Sequence, residues 1–133
     1  MGISIRLVRD EEFPEMIKLM YRVFPTASIS IKSGDRIIVA DREGKVVGFV
    51  HYACHGKRAV IKGFGVDGNT RGTGVGTTLI NEVLQKFEGI GKPVYLKVRA
   101  LNPALNIYAR FGFFQAKEDY GKRILTLVKK ADN

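Results

Sequence analysis

Glycine stands at positions 72, 74 and 76 of the run Val66-Asp67-Gly68-Asn69-Thr70-Arg71-Gly72-Thr73-Gly74-Val75-Gly76-Thr77, and this run is where the chain is best equipped to hold a ligand. Glycine at alternate positions removes side chains where a ligand must reach the main chain. The run leads into a strongly periodic helical segment. The first N–H groups of a helix lack acceptors inside it and carry the positive end of its dipole, which suits an anion such as phosphate. Arg71 would add a fixed positive charge at the rim. The same composition would also serve a ligand-free turn, and the run alone leaves both open.

Two familiar phosphate motifs do not fit. A mononucleotide loop ends in Gly-Lys-Ser/Thr, whereas Gly76 is followed by Thr77 and Thr78. A dinucleotide fingerprint would need glycine at position 77 and an acidic residue further on, and the stretch from Pro93 to Arg99 supplies none. Elsewhere, Tyr108 offers a phenol, although packing beside Leu105 and Phe111 would also explain it. Gly63 and Gly65 flank Phe64 in an otherwise strand-like run, which points to a bulge, a close backbone approach or a simple kink. Cys54 is the single cysteine, so no internal disulfide and no cysteine-built zinc site can form. It is expected to be a buried strand residue and not a nucleophile, because no acid–His partnering is visible beside it.

The elements that must position these residues follow from periodicity. Ile3 to Val8 alternates as a strand, with Ile3, Ile5 and Leu7 on one face. Glu11 to Phe24 has the spacing of an amphipathic helix, with acidic residues in its first turn and Pro25 at its end. Thr26 to Asp35 is irregular or a short helix. Arg36 to Ala40, Val46 to Cys54 and Ala59 to Val66 read as three antiparallel strands joined by turns at Asp41–Gly44 and His55–Arg58. Thr73 to Phe87 is helical and Val94 to Val98 is a short buried strand. Pro103 to Phe111 is a helix with proline in its first turn and Gly112 past its end. Phe113 to Lys117 and Arg123 to Val128 are closing strands, the last of them exposed enough to pair across a dimer. The result is an α/β (α+β) fold: a mixed, mostly antiparallel central sheet flanked by helices.

Composition bounds the rest. The 133 residues suit one domain spanning 1–133; 45% are apolar and 26% charged, an ordinary globular balance. No apolar run approaches the about 20 residues that a membrane span needs, and no export signal stands at the N-terminus, so a reducing cytoplasm is the expected setting and no membrane partner is expected. The net charge of +9 attracts anions. The basic residues are scattered, in small groups at Lys57-Arg58, Lys122-Arg123 and Lys129-Lys130, so a phosphorylated cofactor is expected before nucleic acid.

Arg71, Gly74 and Gly76 fill a short motif: Arg/Gln, two residues, Gly, one residue, Gly/Ala. Placed between a strand and a helix, it resembles the pyrophosphate-binding motif of the GCN5-related N-acetyltransferase (GNAT) superfamily. The element order is similar to that family's over almost the whole chain. A second segment, Asn102 to Phe113, resembles a later family motif, with Ala104, Tyr108, Gly112 and Phe113 in register. Asn102 departs from it by standing one residue closer to Tyr108 than the family pattern has it.

The resemblance implies an N-acetyltransferase that moves an acetyl group from acetyl-CoA to a primary amine by direct attack, with no metal. It implies that Arg71, Gly72, Thr73, Gly74, Val75 and Gly76 bind the cofactor's pyrophosphate. The pantetheine arm would run beside Phe64, Gly65 and Val66, and the Val66 N–H would steady the developing oxyanion. Asn102 is a further cofactor contact, and Tyr108 is the acid for the departing thiolate. A thiol near pKa ~8.5 and a phenol near ~10 are close enough for donation. The strand glutamate that many family members use as base is missing from Ala59–Val66 and from Tyr95–Arg99. His51, His55, Asp41 and Glu12 are possible substitutes, as is a water chain or an amine that arrives neutral. The acceptor is a small-molecule or peptide amine, bordered by Thr26–Asp35 and Glu118–Lys122. The alternatives are a non-catalytic acyl-CoA-binding domain on the same fold and a nucleic-acid-binding domain.

Overall fold

The computed structural model describes residues 2–25, 29–88 and 91–131. Seven strands form one mixed sheet in the order β1-β2-β3-β4-β5-β7-β6, flanked by helices. The strands are β1 (Ile3–Leu7), β2 (Arg36–Arg42), β3 (Lys45–His55), β4 (Arg58–Val66), β5 (Val94–Arg99), β6 (Phe114–Asp119) and β7 (Ile124–Lys129). The helices are α1 (Phe13–Val23), α2 (Val75–Glu88) and α3 (Leu105–Arg110), with short 3₁₀ turns at Asp10–Glu12 and Gly68–Thr70.

Each sheet face buries its own apolar set. On one, Met16, Leu19 and Met20 of α1 pack on Ile37, Val39, Val46 and Phe49. On the other, Leu79, Ile80, Val83 and Phe87 of α2 pack on Ile38, Val50, Tyr52 and Ile61. These α2 positions follow the 3.6-residue period, so one helical stripe meets one pleated face. α1 starts with proline in its first turn, where the missing N–H costs nothing. Its entry is tied to the sheet by Arg6, which donates to both Glu12 oxygens (2.7 Å each) and to Asp41 (2.6 Å).

β1 to β4 are antiparallel, β4 and β5 are parallel, and β7 pairs antiparallel with both β5 and β6. β7 therefore lies inside the sheet, and the free edges belong to β1 and β6. The expected exposed strand at Arg123 to Val128 is thus already paired on both sides and cannot join a second copy through its edge. Two further expectations are corrected. Leu7, at the edge strand, is 53% exposed and does not continue the apolar face of Ile3 and Ile5. Cys54 is exposed: β2 pairs with β3 only as far as Tyr52, so Cys54 runs past the end of its neighbour on that side.

Candidate active site

The glycine run folds into an open-mouthed turn. Gly72 and Gly74 have φ of +81° and +85°, a backbone conformation that L side chains rarely adopt. α2 starts later than its periodicity predicts, at Val75, because these left-handed glycines interrupt helical geometry at 72–74. The Gly74 carbonyl accepts the Thr78 N–H at 3.0 Å, the first bond of α2. Among the described residues, the N–H groups from Gly72 to Thr77 have no acceptor. They border a cavity of about 700 Å³ lined by Arg71, Gly72, Gly74, Val75, Gly76 and Thr77 of the turn. Thr73 is not in that lining; its hydroxyl is spent inside the turn, donating to the Thr70 carbonyl at 2.5 Å. Gly76 has a packing duty as well: a Cβ there would meet Phe64 Cζ at 3.1 Å and Ile107 Cδ1 at 3.4 Å.

The cavity continues along Phe64, Gly65 and Val66, where β4 and β5 part company. These two strands pair only from Ala59↔Val94 to Ile61↔Leu96. The register of β4 against β3 then slips, from Tyr52↔Ile61 to His51↔Gly63, so Lys62 is the extra residue of a bulge. The flanking glycines had suggested a bulge near Phe64, and it sits just before them. Gly65 instead makes room: a Cβ there would come within 2.9 Å of both Phe49 Cε1 and Val23 Cγ1.

The bulge has a consequence for the main chain. N–H groups alternate sides along a strand. Before the bulge, the Ala59 N–H faces β5 and bonds the Pro93 carbonyl (2.9 Å). After it, the Asp67 N–H bonds the Val47 carbonyl of β3 (2.8 Å). Odd-numbered amides have changed sides, and the Val66 N–H is turned away from β3 toward the gap.

A second cavity, of about 410 Å³, lies on the other side of Phe64 and is lined by Tyr108, His51, Lys62, Lys97 and apolar residues. The two cavities share Phe24, Phe64, Arg99 and Asn102, so they adjoin. Tyr108, on α3, is 5% exposed, with its ring edge-on to Phe64 and Phe113. Burial raises its phenol well above the ordinary value. Among the described residues its hydroxyl has no hydrogen-bond partner, and none of their polar side-chain atoms is both sealed and unpartnered, so it keeps a path to solvent. Asn102 accepts the Ala104 N–H on its side chain (2.8 Å) and the Leu105 N–H on its carbonyl (3.1 Å). These bonds start α3 at Leu105, later than the predicted Pro103, while leaving Asn102 at the junction of the cavities.

Of the residues considered as a base, His51 alone lines a cavity. His55 is exposed at the hairpin tip, and Glu12 and Asp41 are held by Arg6 beside β1. His51 Nε2 lies 2.6 Å from Asp35 Oδ2, with the side chains 6% and 2% exposed. Lys62 also donates to Asp35, at 3.0 and 3.2 Å. Burial alone would push the Asp35 carboxyl up. The Lys32 N–H, His51 and Lys62 more than offset it, and its pKa falls to about 2. Asp35 escaped sequence reasoning because it is distant from His51 along the chain. Only the turn Lys32–Asp35, closed by Asp35 N–H to Lys32 carbonyl at 3.0 Å, brings its carboxylate to β3. Of the two segments expected to border the acceptor, the first contributes Ile29 and Ser30, and residues 26–28 lie outside those described. The Glu118–Lys122 segment lines neither cavity; Ile124 does.

Known proteins share this architecture. The ribosomal-protein-S18-alanine N-acetyltransferase of Escherichia coli superposes with a TM-score of 0.85 at 17% identity, covering 99% of this chain and 96% of that one. The PaiA N-acetyltransferase of Thermoplasma acidophilum, solved with coenzyme A, gives 0.84 at 17% identity over 98% and 99%. Arabidopsis thaliana NAA60, solved with a bisubstrate analogue, gives 0.82 at 21% identity over 98% and 100%. At such identities the likeness speaks for the fold alone. The sequence profile of the Acetyltransferase (GNAT) family, however, matches residues 5–113, most of the chain. With that profile spanning both the glycine turn and Tyr108, the chain belongs to the GNAT family of acetyltransferases.

Proposed function

We propose that this protein transfers an acetyl group from acetyl-CoA to a primary amine of a small molecule or peptide, by direct attack of the amine on the thioester. The observation that carries this reading is the row of acceptor-less N–H groups from Gly72 to Thr77, set at the mouth of a cavity that adjoins the one holding Tyr108. Such a row suits a diphosphate, and the larger cavity has room for the attached pantetheine. The structural relative solved with coenzyme A supports the same use of the fold.

Acetyl-CoA supplies the acyl group as an activated thioester; the chain's own residues hold it and manage charge. The turn amides and Arg71 grip the diphosphate and fix the thioester at the gap between β4 and β5. The Val66 N–H, turned into that gap by the bulge, donates to the carbonyl oxygen as negative charge grows on it. The amine nitrogen forms its bond to the carbonyl carbon, the carbon–sulfur bond breaks, and the sulfur leaves as thiolate. Tyr108 stands ready as a donor to that sulfur. Burial raises its pKa, which keeps the phenol protonated but also makes full proton transfer to a thiolate near ~8.5 uphill. Its work is therefore a hydrogen bond to the departing sulfur, passing its proton over only as it takes one from the nitrogen that has bonded the acyl carbon, so that no phenolate is left.

Calorimetric titration with acetyl-CoA, together with an assay of free CoA thiol across a set of amines, tests the proposal. Binding and transfer are expected. Binding without transfer to any amine would favour a non-catalytic acyl-CoA-binding domain, and no binding up to millimolar acetyl-CoA would end both readings. Tyr108→Phe should lower turnover by about 10- to 100-fold while leaving CoA affinity within about twofold. Unchanged turnover would remove the donor role.

A further inference from the structure

The transferase reading leaves one proton unassigned, that of the attacking ammonium. β4 carries no acidic residue that could take it, and neither does β5. The cavity on the acceptor side of Phe64 holds one residue type that can, and a set of contacts that prepares it.

His51 sits on β3 opposite Gly63, immediately after the Lys62 bulge. The same irregularity that opens the gap toward Val66 therefore sets the place of this imidazole. Its Nε2 is 2.6 Å from Asp35 Oδ2. The Asp35 side chain is almost fully buried, and its two oxygens also receive Lys62 Nζ (3.0 and 3.2 Å) and the Lys32 N–H (3.0 Å). A carboxylate so supplied with donors stays ionised and can only accept from the ring. The neutral ring must then carry its proton on Nε2, which leaves the lone pair on Nδ1. Nδ1 has no partner among the described residues, and no polar side-chain atom among them is both sealed and unpartnered, so it is open to solvent, on a residue that lines the cavity.

Resting on the transferase reading, we infer that His51 is the general base of the reaction, with Asp35 the positioning residue that fixes its tautomer and Lys62 the residue that holds Asp35. Nδ1 takes one proton from the attacking amine as its nitrogen bonds to the acyl carbon. The carbon–sulfur bond then breaks, Tyr108 passes its proton to the sulfur while taking the second proton of that nitrogen, and the imidazolium returns its proton to solvent. In sum, an ammonium ion and acetyl-CoA give an amide, free CoA thiol and one proton. The charged or titratable groups around His51 are Asp35 from the turn before β2, in contact with it, and, lining the same cavity, Lys62 from β4, Lys97 and Arg99 from β5 and Tyr108 from α3; α1 and the residue after it contribute Met20 and Phe24.

The test has two arms on the full chain. In the first, nitrogen-15 NMR of the protein with CoA bound reads the His51 ring directly. A neutral ring protonated on Nε2 is expected; protonation on Nδ1 would overturn the inference whatever the acceptor. In the second, the pH profile of kcat/KM is taken with a hexapeptide bearing a free N-terminus, lysine ethyl ester, tyramine and spermidine as probes. Wild type should show an acid limb of slope one, with activity lost as His51 gains its proton. His51→Gln should lose that limb and at least 100-fold in kcat, with CoA affinity by calorimetry within about twofold of wild type. Asp35→Asn should reduce kcat at least tenfold and move the limb, a change that a packing role alone would not make. An unaltered limb or near-normal turnover in His51→Gln would overturn the inference, and retained CoA binding in that variant shows that it has folded. Failure of the transferase reading looks different: wild type itself would then transfer to none of the probes.

Discussion

Gly74 and Gly76 stand two residues apart in one turn and do different work. Gly74 is needed for its backbone, at φ +85°, with open space where a side chain would go. A β-branched residue there would force the turn to rearrange and would project into the mouth of the larger cavity. Gly74→Val should weaken CoA binding by about tenfold or more in a calorimetric titration, through loss of the amide row. Gly76 has ordinary φ but faces Phe64 and Ile107 at 3.1 and 3.4 Å. Gly76→Val should cost about 1–3 kcal/mol of stability in urea unfolding, because packed rings must shift. Both glycines were legible in the sequence as a pair, and their separate duties were not, since a glycine's neighbours across space leave no mark on its own letter. Cys54 shows the same limit: apolar strand context suggested burial, yet β3 there runs past the end of β2.

At the scale of elements, the strand that joins the cavities is shaped by one extra residue and one missing side chain. Lys62 is the extra residue, and it reverses which side the following amides face. Gly65 is the missing side chain, and it lets Phe49 and Val23 press against the strand. Gly65→Ala should destabilise the fold by about 1–3 kcal/mol, read as a lower urea midpoint with unchanged slope, because a Cβ would stand 2.9 Å from two packed carbons. Most elements were legible from periodicity, with ends displaced by a residue or two. Two of these shifts have local chemical causes: left-handed glycines delay α2, and the Asn102 side chain delays α3. The pairing of β7 was not legible. Its short alternating pattern fits an edge or an interior strand equally, and only the crossover from β5 through α3 and β6 puts it between its neighbours.

For the molecule as a whole, two carboxylates link folding to pH. The Arg6 guanidinium holds Glu12 down to about 2 from 4.5, and the donors around Asp35 hold it at about 2 from 3.8. Both bind protons less readily folded than unfolded, so their contribution is complete above about pH 5 and is lost as pH falls toward their folded values. The urea midpoint should therefore drop between about pH 5 and 2, and Glu12→Gln should flatten part of that drop while lowering stability at pH 7. The net charge of +9 acts at longer range. CoA affinity should fall as salt rises from 50 to 500 mM, because screening weakens attraction of the anionic cofactor to Arg71 and its surroundings. A salt-independent affinity would place the binding energy in the amide row alone.

The order of elements, the apolar faces and the glycine turn followed from the sequence, because each depends on neighbours within a few residues: periodicity, turn chemistry and helix-start amides are local properties. The joining of two cavities at Phe64, the side to which the Val66 N–H turns and the pairing of His51 with Asp35 came only from the tertiary structure. Each depends on strand register, and register is set by packing between segments far apart in the chain. The slip at Lys62 decides the side to which the Val66 N–H turns, and the Lys32–Asp35 turn with the β2–β3 register decides the His51 pairing; the glycines beside Lys62 hint at a bulge without fixing its position or its consequence.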